Sequence, residues 1–354
     1  MDTAAVLCEG AFGKNMGKTA AGLVRHSRRF KIVGVIDSTS PAGDAGEILD
    51  GIKAGIPIFP SLQAMMASLE SPPKFLIIGV ATIGGRLPEP FRKPIREALE
   101  AGINVIGGLH EQIGKEPEFV SAAEVGGAVI IDIRKERTFD QLHYFRNLAK
   151  DLPCARIPVL GTDAAIGKRT TAIILTDALN ALGIKTTFIA TGQTGLLQGL
   201  QFGVPIDAIR GDFVVGELEA EIVRAYEMEK PKVIIVEGQG SISHPAYVTG
   251  SRAIISASAP SGVILQHAPR REHRTYHEAE LHLPMPTIDS EMEHLRVFAK
   301  APVIALTLNH YNMTKEEVLE VSEAYESRYG IPCADVLLFG ADKIAKSIIV
   351  RYDL

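Results

Sequence analysis

Apolar residues in this chain come in short runs closed by glycine or a polar turn, and these runs alternate with stretches of helical period. Strands are expected at Ala4 to Cys8, Lys31 to Ile36, Phe75 to Val80, Asn104 to Ile106 and Ala128 to Ile133. Helices are expected after the glycine-rich turn Glu9 to Ala20, through Arg25, over Pro90 to Ala101, and over Phe139 to Leu152, where Pro153 ends the pattern. The alternation then starts again. Strands are expected at Ile157 to Leu160, Thr186 to Ala190, Lys232 to Val236, Gly262 to Gln266 and Pro302 to Leu308, with helices over Thr170 to Leu182, up to Met228, and over Thr314 to Tyr329. Strands alternating with helices predict βαβ units and parallel sheets. The expected fold is α/β in two domains, residues 1–153 and 154–354.

Composition agrees with two globular domains: 354 residues are long for one core, and 46% of them are hydrophobic. A net charge of −5 gives no basic surplus for nucleic acid or an anionic membrane, so a small-molecule substrate is the expected partner, with self-association left open. No stretch approaches the roughly 18 apolar residues of a membrane helix, and no basic leader precedes the first strand. Cys8, Cys154 and Cys333 lie far apart, which argues against zinc and disulfides and for a cytoplasmic location. No metal site is expected.

The most specific chemistry lies between the strand ending at Leu160 and the helix after it. Gly161, Thr162, Asp163, Gly167, Lys168, Thr170 and Thr171 form a glycine-bounded turn at a helix N-terminus, where backbone N–H groups and a lysine can cradle a phosphate chain. A Walker A loop needs Ser or Thr directly after the lysine to hold Mg²⁺, and Arg169 stands there instead. The loop thus suits a pyrophosphate that needs no metal, such as that of coenzyme A.

Other strand ends add candidates. Thr191-Gly192-Gln193-Thr194-Gly195 is expected as a ligand-lining turn, with Gln193 on the cofactor. Asp212 is either a helix cap or a substrate contact. Glu237 ends a strand in the Walker B manner, Gln239 follows it, and His244 lies on the same loop, so Glu237 or His244 is the expected base and Gln239 a cofactor contact. Arg270 and Arg271 are forks for substrate carboxylates, while His273 and His277, four apart, make only a weak metal pair in a solvated surface. In the first half, Gly10 to Thr19 is a second glycine-lysine turn, but only three residues separate Gly13 from Gly17 where a Walker loop has four. Asp37 suits either a ribose or its own Ser38-Thr39 turn, His110 is a structural hydrogen-bonder or a site residue, and Arg134 to Arg137 reads as a solvated charge run.

Two resemblances follow from these motifs. Gly161-Thr162-Asp163 with Ile166-Gly167-Lys168 and Thr170, and Val236-Glu237-Gly238, resemble dethiobiotin synthetase and its SIMIBI-class P-loop relatives. Over nearly the whole chain, Gly107-Gly108-Leu109-His110, Thr191 to Gly195, Asp212-Phe213 with Gly216 and Glu219, and Glu237 to Gly240 with His244-Pro245 resemble the DUF1611 family. That resemblance implies an N-terminal Rossmann-like domain, a C-terminal P-loop domain, and an acetyl-CoA-dependent N-acetyltransferase acting on D-glutamate or a related acidic D-amino acid. Ala164 stands where the family loop is expected to carry cysteine. An Mg-ATP-dependent ligase or kinase, or a nucleotide-binding regulatory module without catalysis, are the alternatives.

Overall fold

The computed structural model describes residues 1–199, 201–274 and 282–354. In chain order the elements are β1 (Asp2–Leu7), α1 (Lys18–His26), β2 (Phe30–Ile36), α2 (Ala45–Asp50), β3 (Ile58–Phe59), α3 (Leu62–Ser68), β4 (Phe75–Ile78), α4 (Glu89–Glu100), β5 (Asn104–Gly107), α5 (Pro117–Gly126) and β6 (Ile130–Asp132). There follow β7 (Ala155–Gly161), α6 (Lys168–Ala181), β8 (Thr186–Ala190), α7 (Gln193–Leu197), β9 (Phe202–Gly203), α8 (Val214–Glu229), β10 (Val233–Glu237), α9 (Thr249–Ser258) and β11 (Val263–His267). The chain closes with α10 (Ile288–Ala299), β12 (Val303–Leu308), α11 (Lys315–Tyr329), β13 (Cys333–Ala334), α12 (Val336–Phe339) and α13 (Asp342–Tyr352). No described helix is long and apolar enough to cross a membrane.

Two parallel sheets result, ordered β3-β2-β1-β4-β5-β6 and β13-β12-β11-β7-β10-β8-β9. The chain divides into two compact units. One holds Met1–Glu136 together with Gln193–Leu200, and the other holds Arg137–Gly192 and Gln201–Leu354. The division falls before Pro153, and a short segment from the second half counts with the first.

In the first unit the strand order reverses between β1 and β4, the place where doubly wound sheets open a ligand crevice. Helix α7 occupies that ground. Gln193 packs against Gly108, so closely that a β-carbon there would overlap it, and its amide reaches Val80 O at 3.4 Å. The hydroxyls of Thr194 and Thr19 share a 2.9 Å hydrogen bond, Gln198 donates to Gly22 O, and Leu197 is part of the first unit's core. The stretch expected as an open turn is thus a helix from Gln193 onward, because its polar side chains find partners on α1 and at the end of β4. Asp37 follows β2. Its carboxylate accepts the N–H groups of Gly10, Phe12 and Thr39 and the hydroxyls of Thr39 and Ser40, and the backbone donors outweigh burial in pulling its pKa below the usual value. Of the two readings for Asp37, the structure supports the turn.

In the second unit the register sets Glu237 beside Val159, at the head of the phosphate loop. Pro158 lies inside the central strand β7. Just past β7 the N–H of Thr162 reaches Gln266 O on β11 at 3.0 Å, and Pro158, on the same alternation, has no N–H to give; β11 pairs with β7 only from Val159 onward.

The helix expected over Phe139 to Leu152 does not form. Only the single turns Phe139–Gln141 and Ala149–Asp151 are present. Two buried carboxylates of α8 take the backbone donors that a helix would have used: Glu217 accepts His143 N, and Glu219 accepts Arg146 N and Leu148 N at 2.7 Å and Ala149 N at 3.3 Å. Charge-assisted bonds of this kind outcompete local helix bonds. In the charge run just upstream Lys135, Glu136 and Arg137 are exposed as expected, with Arg137 paired to Glu217, whereas Arg134 is buried with its guanidinium on Gly108 O.

Candidate functional site

Strand β7 ends in Gly161, where a side chain would collide with Ile166 and Lys168, and the loop then turns through Ala165 and Gly167 at positive φ before α6 begins at Lys168. Glycine meets the left-handed value of +101° at Gly167 without strain. Among the described residues, no acceptor meets the N–H groups of Ala165, Ile166 or Gly167. The loop therefore presents donors at a helix N-terminus, as an anion cradle requires. Lys168 is buried with its Nζ on Asp163 O.

The loop's side chains are anchored from below. Asp163 is fully buried, with one carboxylate oxygen 3.0 Å from an Arg271 Nη and the other 3.8 Å from His244 Nε2. Arg271 also donates to the carbonyls of Ala164 and Ala165, so its fork staples the loop. Arg270, the other expected fork, pairs with Glu317 on an exposed face. Thr162 shares a 3.0 Å hydrogen bond with Nδ1 of His267, whose pKa burial lowers to about 4, so that ring is neutral. Thr171 and Thr307 both donate to Gln266 Oε1, which turns the Thr171 hydroxyl into the core. Neither Thr162 nor Thr171 offers its hydroxyl where a Walker loop holds Mg²⁺, and Arg169 takes the intervening place. Thr170, half-buried, stands one step beyond it.

Glu237 is buried at the tip of β10. Its Oε2 accepts Thr191 N at 2.9 Å and Gly192 N at 3.3 Å, while the Gln239 amide donates back to Thr191 O. Glu237 and Gln239 thus clamp one loop from both sides. Burial raises the Glu237 pKa, opposed by the nearby Arg169 guanidinium and the two backbone donors. His244 Nδ1 accepts the N–H groups of Ala246 and Tyr247 at 3.0 and 2.9 Å. That assigns the ring proton to Nε2, facing Asp163, and leaves His244 a donor rather than a proton acceptor.

The structure thus gathers Gly161, Thr162, Asp163, Gly167, Lys168, Thr171, Arg271 and His244 about the loop, with Glu237 beside its strand. The other expected residues have different partners. Gln193 belongs to the first unit, and Gln239 serves the Thr191 clamp. Asp212 is exposed and makes no cap on α8. His110 is exposed against Gly85, His273 stacks edge-on with His282, and His277 lies outside the described residues.

One cluster went unanticipated. Buried Glu291 accepts Ile242 N and the Ser243 hydroxyl, and Arg274 donates to Ser241 Oγ at 3.0 Å and Ser243 Oγ at 2.8 Å. A signal for it was present, because Glu291 falls in the apolar stripe Ile288, Leu295, Ala299 of α10 and so must point inward.

Comparison with known proteins agrees with this architecture. The model of the DUF1611_C P-loop domain, a domain of unknown function, matches residues 143–345, and that of the Rossmann-like DUF1611_N domain matches residues 38–136. A D-glutamate N-acetyltransferase from a Pseudoalteromonas species is 31% identical over 281 residues, 78% of this chain and 81% of that protein. A D-glutamate N-acetyltransferase from Tritonibacter scottomollicae is 30% identical over 285 residues, with the same coverage of 78% and 81%. The crystal structure of a DUF1611 protein from Anabaena variabilis is 31% identical and superposes with a TM-score of 0.89, covering 99% of this chain and 100% of that one. The chain belongs to the DUF1611 family, with a Rossmann-like domain ahead of a P-loop domain.

Proposed function

We propose that the protein is an N-acetyltransferase that moves the acetyl group of acetyl-CoA to the amino group of an acidic D-amino acid, D-glutamate first. The reading is carried by the two relatives named D-glutamate N-acetyltransferase, each aligned over 78% of this chain. The phosphate loop supports it. Its donors and Lys168 suit the pyrophosphate of coenzyme A, and the missing hydroxyl beside Lys168 matters only to a metal-bound nucleotide.

The amine must be neutral to attack the thioester carbonyl, so a base takes its proton; the C–N bond then forms and the C–S bond breaks, releasing the thiol. Glu237 is the base in this reading. Its raised pKa makes it a stronger proton acceptor than an ordinary carboxylate, whereas His244 has its accepting nitrogen occupied. Asp163 and Arg271 hold the loop in shape.

Titration calorimetry with acetyl-CoA in a chelator tests the cradle, and mass spectrometry of a reaction with D-glutamate tests the transfer. Metal-independent binding and an N-acetyl product are expected. ADP formed from Mg-ATP only when a co-substrate is present, with no acetyl product, would replace this reading with a ligase or kinase.

A further inference from the structure

Three arginines, Arg270, Arg271 and Arg274, follow β11, and the structure gives them different work. Arg270 pairs with Glu317 at the surface, and Arg271 is held by Asp163 and two loop carbonyls. Among the described residues, every acceptor on Arg274 is neutral: Pro284 O at 3.2 Å, Ser241 Oγ at 3.0 Å and Ser243 Oγ at 2.8 Å. These bonds use three of its five N–H groups. Among the described residues the remaining two have no acceptor, one on each Nη.

The seat is rigidly built. Buried Glu291 takes the Ser243 proton, which leaves the lone pairs of that hydroxyl for Arg274, and Glu291 is itself fixed by Ile242 N. Glu291 and Asp163 act on Arg274 only from beyond hydrogen-bond distance. Ser241 and Ser243 lie on the loop that begins at Glu237, so one short segment carries both the proton acceptor and the platform of the cation.

We infer that Arg274, held by Ser241, Ser243 and Glu291, is the specificity-determining cation that reads the side-chain carboxylate of the amino-acid acceptor. The inference rests on the acetyl-transfer reading for the identity of that acceptor. A carboxylate supplies the paired, planar acceptor that a guanidinium fork prefers, and a ligand whose amine meets Glu237 would place its far end along the same loop. The phosphates of coenzyme A are the other anions at hand, and they already have Lys168 and the loop donors.

Calorimetry on the full chain with coenzyme A present separates these cases, using D-glutamate and its uncharged isostere D-glutamine. Wild-type protein is expected to bind D-glutamate more tightly. In R274Q, D-glutamate affinity should fall about 10- to 100-fold, with D-glutamine and coenzyme A affinity unchanged, and R274K should recover part of the loss as a point charge without the fork. If R274Q fails to fold by thermal melt, S243A, which loosens the seat and leaves the cation, should lower D-glutamate affinity alone. Equal weakening of both amino acids, unchanged D-glutamate binding, or a loss confined to coenzyme A overturns the assignment. A wild-type protein that binds D-glutamate through Arg274 but forms no N-acetyl product would refute acetyl transfer and leave Arg274 in place.

Discussion

Replacing Glu237 by glutamine tests the proposed base with little disturbance. The amide oxygen can accept from Thr191 N and Gly192 N as Oε2 does at 2.9 and 3.3 Å, so the clamp on that loop is retained. What disappears is the group that takes a proton from the amine. Such a base is worth about 10²- to 10⁴-fold in rate, or roughly 3–5 kcal/mol of barrier. Initial rates of thiol release from acetyl-CoA should therefore fall by that factor, with acetyl-CoA affinity unchanged. The pH dependence adds a second reading. Burial raises the Glu237 pKa, so wild-type kcat/KM should fall with decreasing pH through a value above the ordinary carboxylate range, and E237Q should lose that limb. Stability should move the other way. A raised pKa means the folded state holds the proton more tightly than the unfolded chain, and the stability it brings below the ordinary carboxylate pKa is lost as pH rises through the folded value. At pH 8 E237Q, carrying no buried charge, should melt no lower than wild type. A variant within a few-fold of wild-type rate, or one that keeps the acid limb, refutes Glu237 as base.

Other consequences are testable by denaturation. The pKa of His267 is lowered to about 4 by burial, so its contribution to stability is present above about 6.5 and is lost as pH falls toward 4; roughly 3 kcal/mol separates the ends, and urea unfolding of H267Q should show less of this loss. E219A leaves Arg146 N, Leu148 N and Ala149 N without their acceptor and should lower stability by about 3 kcal/mol or more, with faster proteolysis between residues 137 and 152. L197A removes a fully buried side chain from the first unit's core and should cost about 2–5 kcal/mol in urea unfolding; a loss under 0.5 kcal/mol would show that α7 is not held there.

The parallel sheets were legible because their strands, buried on both faces, are short apolar runs such as Val233 to Val236, and Gly161 to Lys168 announced the loop by glycine spacing. The region from Phe139 to Leu152 was misread because its period is helical while its conformation is dictated by two carboxylates some 70 residues away along the chain, Glu217 and Glu219. The packing of Gln193 was hidden for a related reason: a polar residue at a strand end suits a bound molecule and a docked neighbour equally, and its contacts with Val80 O and Gly108 follow from no local pattern. His244 is placed by sequence on the same loop as Glu237, but its tautomer depends on the turn at Ala246 and Tyr247, which no spacing reveals. Arg270 and Arg271 look alike in sequence, and their partners, Glu317 and Asp163, lie on separate elements.

The lodging of α7 in the first unit bears on how this protein can be taken apart. A fragment of residues 1–136 would lack Leu197, Thr194 and Gln198, and would expose the crevice they fill. Its complement would carry an unhoused amphipathic segment directly after the Gly192 that Glu237 holds. Gene fusions, circular permutants or chimeras that swap one half for that of a distant relative should therefore succeed only when the socket and its plug are exchanged together, so the inheritable module here is one and a fraction domains rather than one.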